Sequence, residues 1–232
     1  MNEVPPSAGP AASGSAVPAS EAEGVPRGLR TGVNEPMFHE ALKAAATALE
    51  GAQVPHLFIG GLASMVHGRT SWTHDLDVMV SPRDQPAAIA ALLDAGFAEL
   101  PSPASWLSKA AWGDVVIDII HMATGPIFLD EEMLEHSVSQ CVWGTDVRIM
   151  GAEDLVLAKA IACDEETAHY WWDALAVLAA RPLDWEYLVS RARRGPRRIL
   201  SLLLFAQSND LAVPSSAVRA LLDMVGPEGT AS

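Results

Sequence analysis

The sequence predicts an α/β (α+β) fold: a small mixed β-sheet flanked by helices, followed by a C-terminal helical region. Three observations predict it. Short apolar runs of strand character interleave with helical periodicity through residues 35–150. From Ala152 onward every periodic segment has helical spacing, interrupted at Pro182, Gly195-Pro196 and Pro214. Half of the 232 residues are hydrophobic, enough to build a sizeable core.

The elements follow in order. Residues 1–34 are mostly Pro, Ala, Ser and Gly and read as a disordered tail, because they bury too little apolar surface to offset ordering entropy. Asn34 is a plausible N-cap, with Pro36 in the first turn of a helix reaching about Leu49. Phe38, Leu42, Ala45 and Leu49 share one face of it. A short strand over 56–59 ends at Gly60-Gly61, a helix over 62–67 follows, and a loop leads to a strand over 75–80. A helix over 83–95 stops at Gly96. Further strands are expected at 97–100, 106–111, 114–121 and 147–150, and helices near 152–163, 166–180, 184–194, 197–207 and 214–225. The expected organisation is therefore a tail (1–34), a mixed α/β core (35–150), a helical domain (151–226) and a short tail (227–232).

Composition narrows the function. A net charge of −14 argues against broad nonspecific nucleic-acid binding, which needs cations to displace phosphate counterions. One stretch, RARRGPRR, departs from this, with Arg191, Arg193, Arg194, Arg197 and Arg198. It reads either as a solvated turn between helices or as a phosphate or RNA contact. No apolar run is long enough to span a bilayer, and no secretory leader is visible, so a cytoplasmic location without membrane contact is expected. Cys141 and Cys163 lack metal-ligand spacing and are expected to be reduced, buried thiols.

The chemistry concentrates in IGGLASMVHGRTSWTHDLDVMV, residues 59–80. On a strand, positions i and i+2 project to one face, so Asp75 and Asp77 point together while Leu76 and Val78 pack on the other side. Other acidic pairs, such as Asp130/Glu132 and Asp184/Glu186, fall in turn or helix patterns and read as solvated charge. Two carboxylates in an apolar strand repel each other, and a divalent cation removes that conflict. Oxygen ligands favour Mg²⁺ or Mn²⁺. In DVVIDII, Asp118 sits among Val115, Val116, Ile117, Ile119 and Ile120, where a charge needs a partner. If that strand lies beside the 75–80 strand, three carboxylates converge on a two-metal site for phosphoryl or nucleotidyl transfer. The Gly60-Gly61 turn lets backbone N–H groups approach a phosphate closely.

These residues resemble the DNA polymerase β nucleotidyltransferase superfamily. The matching pattern is Ile59-Gly60-Gly61, a thirteen-residue spacer from Leu62 to His74, Asp75-Leu76-Asp77, and then Ile117-Asp118-Ile119. The form is most similar to small prokaryotic members, either abortive-infection toxin-type proteins or antibiotic nucleotidyltransferases. The resemblance implies that Asp75, Asp77 and Asp118 are both metal ligands and catalytic residues. It also implies Glu153, Asp154 and Lys159 in GAEDLVLAKA, with Lys159 contacting phosphate. The toxin-type relatives continue with arginines and an Arg-Asp pair. Here, in ETAHYWWDALAVL, Asp173 fits the acid but aromatics replace the arginines.

The nucleotide-binding set is thus Gly60, Gly61, Ser64, Arg69 and Lys159, with a structural role open for Ser64 and an ion pair with a nearby acid open for Arg69. His67 and His74 are expected to be structural. Trp171 and Trp172 are expected to pack between helices, with stacking on a ring substrate as the alternative. The function expected is metal-dependent transfer of NMP from an NTP to a small molecule, RNA or protein, with release of pyrophosphate. The alternative is a non-catalytic nucleotide-binding or toxin–antitoxin-type interaction protein on the same fold.

Overall fold

Helix α1 (Glu35–Gly51) buries Phe38, Ala41, Leu42, Ala45, Ala46 and Leu49, an apolar stripe recurring at three- and four-residue spacing. The computed structural model describes residues 35–102 and 105–226. The tail expected at 1–34, the Asn34 cap and the tail at 227–232 lie outside the described residues.

After α1 come β1 (His56–Phe58), α2 (Gly60–Val66), β2 (Leu76–Val80), α3 (Gln85–Asp94), β3 (Ala98–Leu100), β4 (Leu107–Trp112) and β5 (Val115–Ile120). Then α4 (Glu131–Glu135) precedes a hairpin of β6 (Val138–Val142) and β7 (Thr145–Ile149). The strands form one seven-stranded mixed sheet in the order β3-β4-β5-β2-β1-β7-β6. The β2–β5 and β1–β7 pairs are parallel and the others antiparallel. Along β5, Val115, Ile117 and Ile119 are buried while Val116, Asp118 and Ile120 are only partly so. One face of this strand is therefore core, and Asp118 sits on the other.

The remaining helices are α5 (Ala152–Ala162), α6 (His169–Ala180), α7 (Trp185–Arg191), α8 (Pro196–Ser208) and α9 (Ser215–Val225), with a 3₁₀ turn over Ala192–Arg194. Helix α5 packs on α2, α6, α7 and α8, and one cluster of buried residues runs from Phe38 to Leu221. Among the described residues no helix is long and apolar enough to cross a membrane.

Several details differ from the sequence reading. Neither α4 nor β6 was expected. In β6, VSQCV, only Val142 is buried, so an exposed edge strand leaves no alternation to read. Its turn is legible in retrospect: Trp143 (φ 47°) and Gly144 (φ 77°) form a two-residue hairpin with positive φ at both positions. Helix α6 starts later than expected because Asp164 Oδ1 accepts the N–H groups of Glu166 and Thr167 and holds that stretch in a turn. Cys141 is exposed rather than buried, and both cysteines are free thiols. Trp172 is also exposed, at 62%, where packing was expected.

The arginine stretch needs the largest correction. Arg191 is buried, and its guanidinium reaches three acids: Asp154 at 2.9 Å, Asp130 at 2.8 Å and Glu132 at 2.6 Å. The Tyr187 hydroxyl donates to Asp154 at 2.6 Å. The burial that lowers the charge of isolated groups is outweighed at Arg191, whose pKa is raised by these acids. This residue ties α7 to α5 and α4 and is not part of a solvated turn. Arg193, Arg197 and Arg198 are exposed, while Arg194 bonds Asp130 at 3.0 Å. His67 plays a similar joining role: its Nε2 is 2.7 Å from the Met150 carbonyl and its Nδ1 faces Arg181.

Candidate active site

Parallel pairing places Leu76 opposite Ile117 and Asp77 opposite Asp118. Directly paired residues on neighbouring strands project to the same face, so the Asp77 and Asp118 carboxylates stand side by side. Asp75 lies one residue before β2, exposed in the loop, with Thr73 Oγ1 donating to its Oδ1 at 3.0 Å.

The glycines touch the acids directly. Gly60 has φ +60°, and a Cβ there would overlap the Asp77 carboxylate. A Cβ on Gly61 would overlap Thr73. The Gly61 N–H donates to Asp77. Two neighbouring positions thus require glycine for close approach, the first also for its left-handed backbone. Helix α2 begins at Gly60 rather than after the pair because this turn is its first turn.

The electrostatics of Asp77 are strongly perturbed. Burial pushes its carboxyl up to about 7, the Asp75 and Asp118 carboxylates add to the effect, and the Lys159 charge and Gly61 N–H oppose it. Asp75 and Asp77 have no ion-pair partner among the described residues. Their all-oxygen donor set suits a hard divalent cation such as Mg²⁺ or Mn²⁺. Asp118 differs. Both of its oxygens are 2.6 Å from the Lys109 ammonium, which comes from β4. Among the described residues, no group of three or more His, Cys, Asp or Glu side chains stands arranged to hold a metal ion. The three carboxylates share one region of the sheet, but only two are without a cation.

Lys159 and Arg69 converge on a single acid. Lys159 Nζ lies 3.0 Å from Asp173 Oδ2, and Arg69 Nε lies 3.1 Å from Asp173 Oδ1. The Lys159 ammonium also sits 3.9 Å above the Tyr170 ring. Burial raises the pKa of the Tyr170 hydroxyl, and the Asp77, Asp75 and Asp173 charges raise it further, so this ring belongs to the same neighbourhood. Ser64 is corrected: it is fully buried, and its Oγ donates to the Gly60 carbonyl at 2.8 Å, within α2. Its hydroxyl supports the glycine turn from behind and does not face the site.

Sequence reasoning missed Lys109, Tyr170 and Thr73 as neighbours of the acids. Lys109 had a readable signal. Counting outward from the two-residue turn Gly113-Asp114 pairs Trp112 with Val115 and Lys109 with Asp118, as the ladder does. No comparable local signal marks Tyr170, which reaches the site through helix packing.

A family model described as "Uncharacterised nucleotidyltransferase" matches residues 29–209. Among curated proteins none matches the sequence. Among solved structures, an antigenic nucleotidyltransferase-like protein from Paracoccidioides brasiliensis is similar with a TM-score of 0.52 and 13% identity, covering 81% of this chain and 94% of that one. That likeness is one of fold. A lincomycin-bound lincosamide antibiotic adenylyltransferase is 15% identical over 65% of this chain and 100% of that one, with a TM-score of 0.46. A nucleotidyltransferase-like structure from Thermotoga maritima is 10% identical over 53% of this chain and 82% of that one, with a TM-score of 0.42.

Proposed function

The chain belongs to this family of nucleotidyltransferases, and from that premise we propose that it transfers a nucleoside monophosphate from an NTP to an acceptor hydroxyl, with release of pyrophosphate. The observation that carries the reading is the side-by-side placement of Asp77 and Asp118 on paired strands, with Asp75 two residues upstream and Gly60 closed against the Asp77 carboxylate. Two unpaired carboxylates at one point are costly to keep without a compensating charge.

In this reading Asp75 and Asp77 hold Mg²⁺ or Mn²⁺. The bound cation supplies charge neutralisation at the triphosphate and fixes its orientation. The protein's own residues do the rest. Arg69 and Lys159 share one counter-ion, Asp173, so the trio keeps one positive charge to meet the triphosphate. The Gly60-Gly61 turn leaves room for a phosphate to approach the backbone. Asp118 takes the proton of the acceptor hydroxyl as its oxygen bonds to the α-phosphorus and the bond from that phosphorus to pyrophosphate breaks. Residues 35–150 carry this chemistry, and residues 151–226 contribute Lys159, Tyr170 and Asp173. The use of NTP puts the protein's work in the cytoplasm. The acceptor is a small molecule, an RNA end or a protein side chain.

The test is incubation of the full chain with α-labelled NTPs, Mg²⁺ and pools of small hydroxylated acceptors, tRNA and protein, with the Asp77→Asn variant beside it. Label transfer and pyrophosphate release lost in the variant support the proposal. Mg²⁺-dependent NTP binding without pyrophosphate release from any pool selects the second reading, a non-catalytic nucleotide-binding or toxin–antitoxin-type protein. One observation favours that second reading: Trp172, Leu204 and Phe205 on α6 and α8 are exposed together, with Trp172 and Phe205 ring centroids 5.9 Å apart.

A further inference from the structure

Lys109 and Asp118 face each other in register across the β4–β5 ladder, and Asp118 faces Asp77 across the β5–β2 ladder. The three side chains form one row across three strands, in the order ammonium, carboxylate, carboxylate. Lys109 Nζ is equidistant from the two Asp118 oxygens, at 2.6 Å each. The pair is largely shielded, with side-chain exposures of 27% and 15%. A metal ion ligated by Asp118 would have to compete with an ammonium that already holds both oxygens.

We propose that Lys109 is a built-in counter-ion that takes the place of a second metal, so that the site holds one divalent cation, on Asp75 and Asp77, and leaves Asp118 outside the ligand set. This rests on the nucleotidyl-transfer reading for the purpose of the site, though not for its geometry. The charges agree. Three carboxylates and one ammonium leave two negative charges, which one divalent cation neutralises. Lys109 then acts through Asp118. It fixes the orientation of that carboxylate beside Asp77, which makes it a positioning residue.

The experiment is Mn²⁺ binding to the full chain at pH 8, read from the free-Mn²⁺ electron paramagnetic resonance signal. An Asp75→Asn/Asp77→Asn double variant sets the background from the acidic surface. The wild type is expected to bind one Mn²⁺ above that background. Asp118→Asn is expected to keep that ion with a weakening clearly smaller than the loss on Asp77→Asn, because it removes a nearby charge but not a ligand. Lys109→Met frees the third carboxylate and is expected to gain a second Mn²⁺ or to bind the first about tenfold more tightly. Lys109→Gln, whose amide preserves a hydrogen bond to Asp118, should show the same gain if Lys109→Met folds poorly. Adding Asp118→Asn to either variant should return binding to one ion.

Two Mn²⁺ in the wild type, no site-specific Mn²⁺ at all, a loss on Asp118→Asn as large as on Asp77→Asn, or no gain in both Lys109 variants would each overturn the proposal. The outcomes separate it from the functional reading. One Mn²⁺ with the Lys109 gain but no nucleotidyl transfer removes the transferase and leaves the counter-ion, whereas transfer with two Mn²⁺ does the reverse.

Discussion

Asp77→Asn in the metal-free protein tests the site's electrostatics without needing the substrate. Folding raises the Asp77 carboxyl from 3.8 to about 7, chiefly by burial and then by Asp75 and Asp118. Between those two values the folded protein keeps a proton that the unfolded chain has released. Stability therefore falls as pH rises through that window, and the loss is complete above about pH 7. Each pH unit of the window costs about 1.4 kcal/mol, so the whole fall is at most about 4 kcal/mol. The asparagine keeps the shape and the bond from the Gly61 N–H but carries no titrating proton. His56 and His67 act in the opposite direction: burial lowers both pKa values, so their contribution is lost as pH falls below about 6.5. They are present in both proteins and cancel in the difference. The assay is urea unfolding in EDTA at pH 5, 6, 7 and 8, followed by far-UV circular dichroism. Between pH 5 and pH 8 the variant should gain up to about 3 kcal/mol on the wild type, levelling off once the pH has passed about 7. Parallel stability curves from pH 5 to 8 would refute the reasoning, because they would mean that Asp77 is solvated or already paired with a cation.

Three further outcomes follow from the geometry. Gly60→Ala combines a left-handed backbone with a methyl group driven into the Asp77 carboxylate, and should cost about 1–3 kcal/mol in denaturant unfolding while abolishing Mg²⁺-dependent NTP binding; unaltered NTP binding would detach the turn from the site. Arg191→Met strands the buried Asp154 carboxylate and should lower stability by about 3–5 kcal/mol, with a loss under 1 kcal/mol showing that the network is dispensable. Arg193→Ala with Arg197→Ala removes two exposed cations and is expected to act on acceptor binding only where the acceptor is RNA; an unchanged salt slope in a tRNA titration assigns these arginines to simple solvation.

The parts of the site that could be read from the sequence are those that local geometry transmits. Strand alternation predicted that Asp75 and Asp77 share a face, yet the strand begins only at Leu76 and leaves Asp75 in the loop before it, while the apolar context of Asp118 marked it as a charge in need of a partner. The mixed sheet with flanking helices followed from periodicity, and helices such as α1 and α5 begin within a residue or two of their expected starts. What stayed hidden depends on registers and packing. Arg191 looks like its four neighbouring arginines in the sequence. It is distinguished only by lying where α7 meets the Asp130 cap and Asp154, residues that approach from 61 and 37 positions away. Ser64 looked like a ligand-facing hydroxyl because its segment borders the acids, but helical geometry turns it back onto the Gly60 carbonyl four residues earlier. The edge strand β6 carries so few buried residues that alternation could not reveal it.

The β2–β5 ladder bears on how the chain reaches this state. It brings together Asp77 and Asp118, forty-one positions apart, in parallel, whereas the β4–β5 and β6–β7 hairpins close over two-residue turns. Local hairpins form on microsecond timescales, while a parallel pairing must first close a long loop. Here the closing step also presses two like charges together. Lys109 is already in register with Asp118 once the β4–β5 hairpin exists, so the incoming strand meets a carboxylate whose charge is screened. If the hairpin forms first, a Lys109 variant is expected to fold more slowly as pH rises, and a folding rate indifferent to pH would remove that order of events.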